Sequence, residues 1–208
     1  MTSLRSGVKL DLMKKLSTYL FLILFSFSAP SFADDISDFQ IEGMSVGDSL
    51  LDYFSKKQVI NNKVDYSYKN NDFYPVKFDN LISSEIYDGG EVYLKTNDEN
   101  YIIYRIFGAI SFHNKNINDC YKKKDAIVAE LSSLFKDAKK IDYGTYEHPT
   151  DKTGESKITS VYFDFKSGDA VSVICTIWSK ELDKVYKDHL SVSIDSKEYS
   201  YWINNKAY

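Results

Sequence analysis

Three textures of apolar spacing divide this chain. Leu16 to Phe27 is an almost continuous apolar run, led by Lys14-Lys15 and followed by Ser31-Phe32-Ala33 and Asp34-Asp35. Helical spacing appears twice. Leu50, Leu51, Phe54 and Val59 share one side of a turn-by-turn pattern, predicting a helix from Val46 to Ile60. Cys120, Ile127, Leu131, Leu134 and Ala138 form a second stripe, widened by Tyr121, Val128 and Phe135, and predict a longer helix capped by Asn116 or Asn118. Elsewhere the period is two. Val64, Tyr66 and Tyr68 alternate with polar residues, as do Val161 and Phe163, then Val171, Val173, Cys175 and Ile177, then Leu190, Val192 and Ile194.

Turn residues order these segments. Asn97-Asp98-Glu99-Asn100 joins a strand around Val92 and Leu94 to a long strand, Tyr101 to Phe112, apolar on both faces and so interior to a sheet. Phe73 to Phe78 contains Pro75, which suits an edge strand, and Glu85 to Tyr87 suits a further short one. Ile141 to Glu147 reads as a strand and His148 to Lys157 as a loop. Ser167-Gly168-Asp169 turns the chain between two strands, and the tail from Lys197 to Ile203 suits a strand or a short helix. Strands follow strands through short turns, so the sheet should be mostly antiparallel. The predicted fold is α+β, with two main helices on one face of that sheet. A helix-plus-meander unit is expected twice, near 41–112 and 113–208, within one domain spanning 34–208.

The first texture predicts an address. A basic lead, about 12 apolar residues and a small-x-small site match a signal peptide, residues 1–33; a membrane span needs roughly 18 or more. Met13 is a plausible start, since residues 1–12 contain Asp11, out of place in such a lead. No cysteine stands at the cleavage site after the run, so no lipid anchor and no stable membrane attachment is expected, and the product is expected to be periplasmic or secreted. Cysteine usage then gains meaning. Cys120 and Cys175 sit on the inward phase of a helix and a strand, and an oxidising compartment favours one bridge between them. Such a bridge contributes about 4 kcal/mol in the chain-entropy model.

Charge narrows the partners. Residues 1–33 carry four basic and one acidic side chain, leaving 22 basic and 29 acidic in 34–208, a net charge of −7. Nucleic acid and anionic lipid both need a basic face and are not expected. Lys122-Lys123-Lys124 reads as a solvated helix face.

The segment Ile41-Glu42-Gly43-Met44-Ser45-Val46-Gly47-Asp48-Ser49-Leu50-Leu51-Asp52-Tyr53-Phe54, with Ser45 and Asp48 spaced as a capping box, is the most distinctive motif. With Gly89 to Gly108 and the Cys120 helix, it resembles a family of small exported bacterial proteins described only as hypothetical, a resemblance that implies no activity. More distantly, Gly43-Met44-Ser45 before a helix and a meander looks like the outer-membrane-assembly lipoproteins of the SmpA/OmlA type and their β-lactamase-inhibitor-like fold.

Motif chemistry is sparse. His113, His148 and His189 lack metal-ligand spacing, and neither HExxH, CxxC, a Walker loop, G-x-S-x-G nor G-x-G-x-x-G occurs. No cofactor or metal is expected. Asp164, between Phe163 and Phe165, reads as facing solvent from its strand. Tyrosines carry the binding reading: Tyr66, Tyr68 and Tyr93 are expected to line a face, with Tyr74, Tyr199 and Tyr201 as further contributors. The reading is a non-enzymatic, exported protein- or peptide-binding module, its partner another periplasmic protein or a peptide. The alternatives are a small-ligand carrier with a pocket between helix and sheet, or a hydrolase-type enzyme with a carboxylate or histidine site outside any known motif.

Overall fold

The alternating segments assemble into one seven-stranded sheet, antiparallel at every ladder, in the order β1-β2-β3-β7-β6-β5-β4. The strands are β1 (Phe73–Lys77), β2 (Gly89–Lys95), β3 (Ile103–Ser111), β4 (Lys139–Glu147), β5 (Lys157–Asp164), β6 (Ala170–Ile177) and β7 (His189–Asp195). The helices are α1 (Lys56–Asn61), α2 (Ile117–Leu134) and α3 (Lys197–Asn205). This computed structural model describes residues 36, 39–79, 81, 84, 86–112 and 117–208. The expected signal peptide, Glu85, His113 and the expected cap Asn116 lie outside them.

Each meander closes where its turn chemistry allows, and the two meanders meet at β3 and β7. Ile106 lies opposite Ile194, and Arg105 opposite Asp195. One face of the sheet is almost wholly apolar. Val92, Leu94, Ile106, Val161, Phe163, Val171, Val173, Cys175, Leu190, Val192 and Ile194 are buried in it. Against it lies α2, through Cys120, Val128 and Leu131, while Phe135 just beyond the helix packs edge-to-face on Phe39, Phe163 and Phe165. Full burial of such a side chain contributes about 1.5–3 kcal/mol. The Cys120–Cys175 disulfide ties α2 to β6 in this layer, with a Cα–Cα distance of 6.1 Å.

The opposite face carries α3. Ser196 caps that helix by accepting the Tyr199 N–H, and Tyr199 and Trp202 pack on Phe73, Tyr93 and Tyr104 as a second, aromatic core. The tail therefore takes the helical alternative. Of the two main helices expected on one face, only α2 is a long helix packed on the sheet, since residues 46–60 hold just a 3₁₀ turn and the six-residue α1; α3 lies on the opposite face.

The first predicted helix is also corrected. Residues 46–60 form a single turn of 3₁₀ helix, Leu50–Asp52, followed by the short α1. The backbone there is committed elsewhere, because Gly47 N–H bonds Ile103 O, Ile103 N–H bonds Asp48 O and Leu50 N–H bonds Tyr101 O. Ser55 then starts α1 with a capping box to Gln58. Asp48 caps no helix; its carboxylate accepts the Ser45 N–H at 2.9 Å and the Tyr53 hydroxyl at 2.5 Å. Glu42 and Gly43, both at positive φ (53° and 78°), turn the chain so that Ile41 and Met44 pair and bury.

Three further expectations change. The segment around Val64 to Tyr68 is no ladder strand, since Val64 N–H bonds Pro75 O but proline has no N–H to return. Ile86 and Tyr87 do not form a strand. Ala138 lies past the end of α2, because Lys139 and Lys140 are drawn into β4 opposite Asp164 and Phe163. In the lysine run, Lys124 is buried, its stem covered and its Nζ 2.8 Å from Asp125 Oδ1.

Candidate functional site

On the α3 face of β2, Glu91 and Tyr93 point the same way because they are two residues apart. Tyr66, in the segment before β1, donates its hydroxyl to Glu91 Oε1 at 2.7 Å, and Tyr93 donates to Oε2 at 3.2 Å. The Tyr68 hydroxyl lies 3.5 Å from that of Tyr93. Of the three tyrosines named from the sequence, Tyr66 and Tyr93 thus share one carboxylate, and Tyr68 stands beside them at the Tyr93 hydroxyl. Their exposures differ: Tyr66 is 37% exposed, Tyr68 is half-buried, and Tyr93 is 7% exposed beneath α3. The Tyr68 ring stands edge-to-face with Tyr66 (6.0 Å) and with Tyr208 (5.6 Å), and rests on Trp202 at 4.9 Å. Burial, then the bond to Glu91 and its charge, push the Tyr66 phenol well above its usual range, and burial does the same for Tyr93. Both remain donors at ordinary pH. Tyr74 is half-buried beneath Lys63, Tyr199 is core, and Tyr201 is exposed on α3.

Beside this cluster, Arg105 lies over the rings of Tyr93, Phe107 and Tyr199, 5.1–5.7 Å from their centroids. Its Nη1 is 2.9 Å from Asp195 Oδ1, an ion contact off the hydrogen-bond axis, and its Nε has no partner. Burial opposes the Arg105 charge, but Asp195 together with Tyr199, Tyr93 and Tyr162 outweighs it and keeps the guanidinium protonated. Burial pushes the Asp195 carboxyl upward, with Arg105 pulling against it. Serines continue the row: Ser193 Oγ reaches Asp195 Oδ2 at 3.3 Å and Ser172 Oγ at 2.8 Å.

The β6–β7 connection carries a separate stack. Tyr186 lies on Trp178 (4.6 Å, 27°), and His148 tilts against Trp178 at 4.4 Å. His148 Nδ1 accepts the Thr150 N–H at 3.3 Å, whereas His189 Nδ1–H donates to Lys187 O at 2.8 Å. Both histidines are held below their ordinary pKa, chiefly by burial. Asp151 gathers the hydroxyls and N–H groups of Ser156 and Thr153, which hold its carboxyl well below the usual range and close the 148–156 loop. Asp164 is half-buried on the face opposite Phe163.

Among the described residues, no group of three or more His, Cys, Asp or Glu is placed to hold a metal ion, and no helix is long and apolar enough to cross a membrane. The residues that sequence reasoning missed are Glu91, Arg105, Asp195 and Tyr208. Glu91 was readable from its two-residue spacing to Tyr93, and Arg105 from its place inside an apolar strand. The position of Tyr208 is set by tertiary contact alone.

No protein-family model matches this chain, and no curated protein does. Among solved structures, the chain is similar to the Ran-binding protein Mog1p of Saccharomyces cerevisiae, with 15% identity, a TM-score of 0.28, and coverage of 70% of this chain and 84% of that one.

Proposed function

We propose that this chain is an exported, non-enzymatic protein- or peptide-binding module whose contact face is the tyrosine corner around Glu91. Residues 1–33 act as a signal peptide that delivers it to the periplasm or medium. The observation that carries the binding reading is the convergence of Tyr66, Tyr68 and Tyr208 at the surface on a rigid base. Tyrosine supplies large contact area at low entropic cost and is enriched at interfaces. Here Glu91 holds the Tyr66 hydroxyl and Trp202 backs the Tyr68 ring, against which Tyr208 stands, so little ordering remains for Tyr66 and Tyr68 on association.

The test is cross-linking from position 66 in the exporting cell. A photo-reactive residue at 66 should give one discrete adduct, while the same residue at Lys152, remote in sequence on the β4–β5 loop, should not. Equal labelling from both positions, or none from either, defeats the proposal.

A further inference from the structure

We infer that the tyrosine corner receives a cationic side chain, a lysine or arginine on a basic segment of the partner; this rests on the binding reading above. Elsewhere in the chain, cations lie over buried, half-buried and exposed tyrosine rings alike. Lys56 lies over Tyr101, Lys63 over Tyr74, Lys95 over Tyr104, Arg105 over Tyr93 and Tyr199, and Lys206 over Tyr201, at 4.2–5.9 Å. Among the described residues, no such cation lies over Tyr66, Tyr68 or Tyr208, and none lies over the exposed Tyr53, Tyr143, Tyr146 or Tyr186 either. Yet this corner has the features a cation seeks. Its rings meet edge-to-face, at 83° and 69°, so ring faces turn toward more than one side. A carboxylate, Glu91, sits at its base. Two of the three rings are well exposed, Tyr66 at 37% and Tyr208 at 73%.

A cation over an aromatic face gains from the ring quadrupole, and a nearby carboxylate adds Coulomb attraction. The corner therefore combines two attractions of one sign. The whole molecule favours the same partner, since residues 34–208 carry a net charge of −7, which raises the local concentration of basic segments. An acidic ligand would meet Glu91, while the nearby Arg105 is already ion-paired with the buried Asp195, and a neutral apolar ligand would leave the Glu91 carboxylate without a counter-charge.

The test uses the purified protein and short Gly-Ser peptides that differ only in carrying Lys, Arg, Gln or Glu. Binding is followed by calorimetry and by the fluorescence of Trp202, which touches Tyr68. The Lys or Arg peptide should bind at least about 10-fold more tightly than the Gln peptide, and salt should weaken it. Tyr208→Ala, at a ring exposed enough to leave the fold intact, should cost about 3- to 30-fold. Glu91→Gln should remove most of the preference for Lys over Gln. Equal binding of the Gln and Lys peptides, no binding of either, or full affinity in Tyr208→Ala overturns the inference. If position 66 still cross-links one partner in the cell under those results, the binding reading stands and the cationic specificity alone falls.

Discussion

At the scale of single residues, space and protonation decide most. Gly90 and Gly108 face each other across β2 and β3. A Cβ on Gly90 would lie 2.1 Å from Phe78 Cζ and 2.6 Å from Phe107 O, and one on Gly108 would lie 2.7 Å from the Tyr87 ring. These glycines let Phe78 and Tyr87 lie flat on the sheet. Gly90→Ala should destabilise by about 1–3 kcal/mol, the usual cost of overpacking, in a urea titration. The histidines give a pH signature. Both are held below their ordinary value, so the unfolded chain takes up protons first as pH falls. Their contribution is complete above about pH 6.5 and is lost on acidification through the lowered folded values. The melting temperature should fall between about pH 6.5 and pH 5, and His148→Gln with His189→Gln should flatten that slope. An unchanged slope in the double variant contradicts the assignment. The Asp151 carboxyl, held low by Ser156 and Thr153, acts in a separate window, its stability lost only in stronger acid.

At the scale of elements, α2 and β4 make distinct predictions. The Cys120–Cys175 bridge closes a 55-residue separation between two fully buried sulfurs. Reduction, or Cys120→Ala with Cys175→Ala, should lower the unfolding free energy by about 4 kcal/mol, read by denaturant titration with and without reductant. The edge strands differ in their protection. β1 is covered by residues 62–64, through the Val64–Pro75 and Lys77–Asn62 bonds. β4 is exposed over nearly its whole length. It carries Lys139, Lys140, Asp142 and Glu147, and bulges at Tyr143 between the pairs Asp142–Val161 and Gly144–Ser160. Charges and a bulge are how natural sheets discourage edge pairing. Deleting Tyr143 should restore a regular edge and promote self-association, visible as a concentration-dependent rise in light scattering.

At the scale of the whole molecule, the proposed export and the disulfide belong together. The exported product is expected to begin at Asp34 with both sulfurs bridged. Intact-mass measurement of the secreted or periplasmic protein checks both, and a retained leader or two free thiols contradicts the respective expectation. Much of the architecture was legible from the chain. β5, β6 and β7 followed from two-residue alternation, β3 from the turn before it and a run apolar on both faces, and the bridge from Cys120 and Cys175 sharing the inward phase of their elements. The break at Ser55 was missed by the helical spacing, although Ser55 and Gln58 carry its capping-box signal. The side of the sheet taken by the tail was not, because Tyr199 and Trp202 specify a sticky stripe without specifying which face it meets.

Side-chain spacing along single elements and the short turns between them were thus enough to fix the local periods, the mostly antiparallel pairing and the cysteine phase. Long-range contacts alone place α3 on the face opposite α2, pair residues 46–50 with the start of β3 rather than coil them, and bring Tyr66 and Tyr93 to Glu91 with Tyr68 and Tyr208 beside them. Those outcomes depend on contacts between residues far apart in the chain, where several partners satisfy the same local pattern. Packing and the need to pair every buried backbone group select among them.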